Sequence, residues 1–90
     1  MRRAARKDRN HNQVESWLYQ LGARSVIDTS QIGCGFPDML VQRFAAFDPA
    51  EVKLPGEDLN DMQVKWWEDH GLEPVILRTL DDCAAFMGRR

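Results

Sequence analysis

The chain has 90 residues, 43% hydrophobic and 29% charged, with a formal net charge of −2. That length holds one core and excludes a second domain, while the composition excludes a disordered tail, a collagen-like repeat and a disulfide-dense scaffold. No apolar run approaches the roughly 20 residues that span a bilayer, and no apolar segment follows the basic N-terminus as it would in a secretory signal. A soluble, cytoplasmic protein without membrane partners is therefore expected, with Cys34 and Cys83 as reduced, buried thiols. A domain this small buries only about 60–65% of its unfolded surface, so self-association would add stability.

Charge is distributed unevenly. Residues 1–9 carry Arg2, Arg3, Arg6, Lys7 and Arg9 against the single acid Asp8, and Arg89 and Arg90 end the chain. Residues 10–88 hold five basic and 13 acidic side chains. A basic arm (1–9) on an acidic domain (10–88) can contact phosphates while the domain keeps carboxylates to hold a cation; solvated terminal charges give the same pattern.

Residues 10–20 predict an amphipathic helix, with Val14, Trp17, Leu18 and Leu21 on one stripe and Gly22 ending it. His11 and Glu15, four apart, lie on one flank of that stripe. Residues 25–29 predict a short strand leading into Gln31-Ile32-Gly33-Cys34-Gly35-Phe36-Pro37, where two glycines and a proline demand a tight turn. Met39-Leu40-Val41 reads as a strand covered on both faces. Ala50-Glu51-Val52-Lys53 reads as the next, with Glu51 and Lys53 on one face and Val52 on the other. Pro49 lacks an N–H, so this strand is expected to be short, bulged or at an edge there, and residues 44–49 lack strand character.

Asn60 and Gln63 form a capping-box pair for a helix running through Val64, Trp66 and Trp67 to His70, with Gly71 just beyond it. Adjacent tryptophans point about 100° apart, so one core Trp with a partly exposed neighbour, or a shared dimer surface, is expected. Residues 74–77 give a last strand. Thr79 caps a last helix with Asp81 and Asp82 in its first turn and Gly88 after its end. The order α-β-β-β-α-β-α defines an α/β fold, a mixed sheet flanked by helices.

Asp38, Glu51 and Lys53 carry the chemistry. Twelve residues separate the two acids, so their strands are expected to pair antiparallel and bring the carboxylates together. Two such carboxylates repel unless a hard cation lies between them, and a lysine beside it can attend water or phosphate. His11 and His70 read as surface or cap-region side chains, and Cys34 as packing.

The run from Gly33 to Val41 with Pro37-Asp38, followed by Glu51-Val52-Lys53, resembles the PD-(D/E)XK nuclease signature. It is most similar to small stand-alone phage and bacterial members of the virus-type replication-repair (VRR-NUC) family, over residues 10–86. The resemblance implies the restriction-endonuclease-like core and Mg²⁺- or Mn²⁺-dependent cleavage of DNA. It makes Asp38, Glu51 and the Val52 carbonyl metal ligands, Glu15 a further acid near the metal, Lys53 the catalytic lysine and Gln63 a supporting residue. It also implies a homodimer selective for branched DNA such as Holliday junctions. Two other functions remain open from sequence: a nucleic-acid-binding module that does not cut, and a structural protein.

Overall fold

Three helices and four strands form along residues 9–88, the part that the computed structural model describes. Arg2, Arg3, Arg6, Lys7, Arg89 and Arg90 lie outside these residues, and Arg9 is exposed at their start. In chain order the elements are α1 (His11–Gln20), β1 (Ser25–Asp28), β2 (Met39–Arg43), β3 (Ala46–Val52), α2 (Asp61–Asp69), β4 (Ile76–Leu77) and α3 (Leu80–Gly88). The sheet order is β1-β2-β3-β4, antiparallel through β3 and parallel between β3 and β4. Among the described residues no helix is long and apolar enough to cross a membrane.

Strand alternation divides the sheet into two unlike faces. Met39, Val41, Ala50 and Val52 point to one face and form the core with Val14 and Leu18 of α1 and Cys83 and Phe86 of α3. Burial pushes the Cys83 thiol up to about 11, which suits an inert packing group. The alternate residues, including Asp38, Leu40, Pro49 and Glu51, point to the other face. There α2 reaches the sheet through Trp67, whose indole N–H donates to Glu51. The two glycines that close α1 and α2, Gly22 and Gly71, have positive φ as expected.

Several local expectations are corrected. β3 begins at Ala46, so residues 46–49 are strand after all, joined to β2 by a two-residue turn with Phe44 at φ 49° and Ala45 at φ 66°. This is type I′ geometry without the usual Asn or Gly, at a cost of about 1–2 kcal/mol per residue. Arg43 offsets it by binding Asp48 at 2.9 Å across the hairpin and resting its guanidinium 4.0 Å from the Phe86 ring. Pro49 neither bulges nor breaks the strand. N–H groups at residues 51 and 53 point toward β4, bonding Val75 and Leu77 carbonyls, so position 49 faces that same side before β4 begins. Its missing donor leaves no ladder bond unmade.

His11 is 1% exposed instead of lying at the surface. The preceding Asn10 makes no cap bond; its amide donates to the Lys53 carbonyl at 3.0 Å, which presses the first turn of α1 against the sheet end. His11 Nε2 then lies 3.7 Å from Asp28 Oδ1, and neither ring nitrogen has a hydrogen-bond partner among the described residues. Leu21 and Cys34, expected to pack, are exposed, and Gly88 belongs to α3. Thr79 does cap α3, accepting from the Asp82 N–H while Asp82 accepts from the Thr79 N–H.

The glycine segment forms a second turn of type I′, with Cys34 (φ 56°) and Gly35 (φ 80°) central and the Phe36 N–H donating to the Gly33 carbonyl. Gly35 is pressed onto the first turn of α2: a Cβ there would stand 2.4 Å from the Met62 carbonyl oxygen, whereas one on Gly33 would meet open space. Gly35→Ala is therefore expected to lower unfolding free energy by about 2–4 kcal/mol and Gly33→Ala by about 1 kcal/mol. Denaturant melts of the two variants check this, and equal losses would contradict the close approach.

Candidate active site

The β2–β3 register pairs Met39 with Ala50, Leu40 with Pro49 and Val41 with Asp48. One further step places Asp38 opposite Glu51, on the face away from the core. Cross-strand neighbours on one face have Cβ atoms about 4.5–5.5 Å apart, close enough for carboxyl groups to touch. The antiparallel pairing expected from the short spacing is thus the one the sheet adopts, and it is what joins the two acids.

Each acid is held by its own surroundings. Asp38 Oδ2 accepts the Val52 N–H at 2.8 Å, filling the ladder position just beyond the start of β2. The Val52 carbonyl lies on the same side of β3, because a strand residue projects its N–H and C=O together. Glu51 is fully buried. Its Oε2 accepts the Trp67 indole N–H at 3.0 Å, and its Oε1 lies 3.4 Å from Gln63 Nε2. Burial, helped by the neighbouring Asp38, pushes the Glu51 carboxyl up to about 8 against the downward pull of the Trp67 indole N–H and the Lys53 ammonium.

Lys53 shares the face of Glu51, two residues along the strand. It lines a cavity of about 300 Å³ with Asp38, Gln63, Asn60, Ser30 and the glycine turn. Gln63 reaches in two directions. Its carbonyl oxygen accepts the Asn60 N–H at 2.9 Å to complete the capping box, and its amide nitrogen turns toward Glu51. One cap bond therefore fixes a site residue, and through the same helix aims Trp67.

Glu15 does not join this group. It is half-buried on α1, a helix on the opposite face of the sheet, and it is absent from the cavity wall. No cluster of three or more His, Cys, Asp or Glu side chains able to hold a metal occurs among the described residues. Residues whose part in the site sequence reasoning missed are Trp67, Ser30, Asn60 and Met62. Trp67 had a signal, since it follows Gln63 by four residues and so shares its helix face.

The donor set of two carboxylates and a backbone carbonyl is all oxygen, the chemistry that hard divalent cations prefer. Comparison with protein-family models, curated proteins and solved structures gives no match.

The Glu51 carboxyl dictates a pH dependence of stability. Its folded value of about 8 exceeds the ordinary 4.5, so between these values the folded chain binds more protons than the unfolded. Its stabilising contribution is complete below pH 4.5 and is lost as pH rises through about 8, at no more than about 1.4 kcal/mol per pH unit. Metal-free protein is expected to melt lower at pH 8.5 than at pH 5.5. Glu51→Gln should remove most of that difference; an unchanged slope in thermal melts of this variant would exclude Glu51 as its source.

Proposed function

We propose that the protein is a divalent-cation-dependent DNA endonuclease of the PD-(D/E)XK kind, similar to the VRR-NUC family, hydrolysing phosphodiester bonds. The observation that carries this reading is the register that sets Asp38 opposite Glu51 with Lys53 on the same face, Asp38 and Lys53 lining one open cavity while Glu51 is buried next to Asp38. Asp38, Glu51 and the Val52 carbonyl would hold Mg²⁺ or Mn²⁺. Such an ion, when bound, polarises a phosphoryl oxygen and lowers the pKa of its water.

The chain's own groups do the rest. Lys53 neutralises charge developing on the phosphate and orients the attacking water. Gln63 and Trp67 keep the Glu51 side chain in one orientation as its proton leaves. The glycine turn lets backbone, instead of side chains, form the cavity wall, leaving room for a phosphate. Arg9 and the basic residues before it would contact flanking phosphates and make binding weaken as salt rises.

Activity in Mg²⁺ or Mn²⁺ against linear, flap and four-way DNA tests the proposal. Asp38→Asn, which keeps an acceptor for the Val52 N–H, and Lys53→Ala should each lower cleavage at least about 100-fold while leaving the melting temperature near that of wild type. Cleavage at wild-type rate by both variants would overturn it. Added cation should raise the melting temperature more at pH 8.5 than at pH 6.5, because binding displaces the Glu51 proton. Both Glu51 oxygens already have partners, which favours a second reading, nucleic-acid binding without cleavage. DNA bound but uncut under every divalent ion would establish that one.

We also propose a homodimer. Ile27, Leu40 and Pro49 lie abreast on the α2 side of the sheet, with Phe47 beyond them, and Ile27 and Phe47 are 44% and 49% exposed. A second copy covering this strip would supply burial that a domain of this size lacks. Sedimentation should give twice the chain mass for wild type and the single mass for Phe47→Glu; a monomeric wild type would remove the proposal.

A further inference from the structure

A second hollow, of about 200 Å³, opens beside the cavity that holds Asp38 and Lys53. Cys34 and Met62 wall both spaces, so they adjoin along a ridge formed by those two residues. The glycine turn is packed close against α2 there, with no room for a Cβ between Gly35 and the Met62 backbone. The rest of the second hollow comes from one flank of α2: Lys65, Trp66 and Asp69, three to seven residues beyond Met62.

Trp66 is the unexplained member. The core takes Trp67, whereas Trp66 stays half-buried with its surface on this hollow. It is braced on three sides, edge-on to Phe36 and to Trp67 with centroids 5.5 and 5.2 Å away, and stacked on His70 at 4.1 Å. A large aromatic ring braced in this way at an open surface is a ready stacking platform. The Lys65 ammonium stands beside it, paired with Asp69 Oδ2 at 3.0 Å, so this side of the hollow is polar without net charge.

We propose that this hollow receives one unstacked nucleobase of the DNA strand whose phosphate enters the neighbouring cavity, so that the substrate carries an unpaired base at the point of cleavage. The identity of the ligand as DNA rests on the nuclease reading above. The hollow is too small for a stacked base pair, and a base inside a duplex has both faces covered and its edge paired. A base at a gap, flap or junction offers a free face without the loss of stacking that extrusion from a duplex requires. Stacking on an aromatic ring tolerates any base, so this contact selects DNA structure and not sequence.

The test uses the full chain and fluorescently labelled DNAs in EDTA: a gapped DNA with one unpaired nucleotide, the same DNA abasic at that nucleotide, and the matched duplex. Wild type should bind the abasic DNA and the duplex about 5-fold to 100-fold more weakly than the gapped DNA. Trp66→Ala should bind the gapped DNA as weakly as wild type binds the abasic one, with no further loss on base removal. Trp66→Phe should keep most of the discrimination. Because base removal alters only the DNA, it reads the contact even if Trp66→Ala fails to fold. Equal binding of gapped and abasic DNA by wild type, discrimination retained by folded Trp66→Ala, or no binding to any of the three would overturn the proposal. Cleavage in Mg²⁺ is scored separately. Base-dependent binding without cleavage defeats only the nuclease reading; Lys53-dependent cleavage of all three DNAs with base-independent binding defeats only this one.

Discussion

Asp38 and Glu51 meet because the β2–β3 ladder runs in one register, Met39 beside Ala50, and every feature of the site follows from that alignment. A slip of a single residue would turn Glu51 and Lys53 into the core and bring Val52 and Ala50 out of it. The register is protected by what lies on the opposite face, where Met39, Val41, Ala50 and Val52 are all fully buried. Burying such side chains stabilises by roughly 1.5–3 kcal/mol for each of the larger ones, so the core face resists the slip that the charged face alone would invite. The hairpin turn at Phe44 and Ala45 pins the same alignment despite its unfavourable dihedrals, helped by Arg43 bridging to Asp48 and to α3.

The sheet therefore divides its labour between faces. One face, under α1 and α3, is apolar and holds the molecule together. The other carries two acids and a lysine, and α2 covers it just enough to orient Glu51. Burying a carboxylate is unfavourable and a second acid beside it adds to the cost, so the Glu51 carboxyl is held well above its ordinary range. The capping box at Asn60 and Gln63 links this strain to local structure. The same amide that satisfies a helix terminus also faces Glu51, so the entry of α2 and the orientation of the acid are set together.

Two hollows extend outward from that centre. The cavity with Asp38 and Lys53 is polar and walled partly by backbone, whereas the adjoining hollow is floored by Trp66. The apolar strip of Ile27, Leu40, Pro49 and Phe47 lies on the same side of the sheet, on strands that α2 leaves largely open.

The order of elements, the mixed sheet, the capping box, the glycines closing α1 and α2 and the antiparallel pairing that sets Asp38 opposite Glu51 were all legible in the chain itself. They depend on periodicity, on turn chemistry and on bonds spanning a few residues, which the sequence determines locally. What it did not determine was which distant groups would meet. The Phe44–Ala45 turn carries no Gly or Asn signal and is held by Arg43 reaching to α3. Pro49 is tolerated because of where β4 begins. Asn10 abandons its helix cap for the Lys53 carbonyl and buries His11, and α1 leaves Glu15 on the wrong side of the sheet. Trp67 becomes the partner of Glu51 only once α2 has docked. These outcomes belong to tertiary structure, because each depends on a bond or contact between residues tens of positions apart, whose worth exists only after the chain has closed the loop between them.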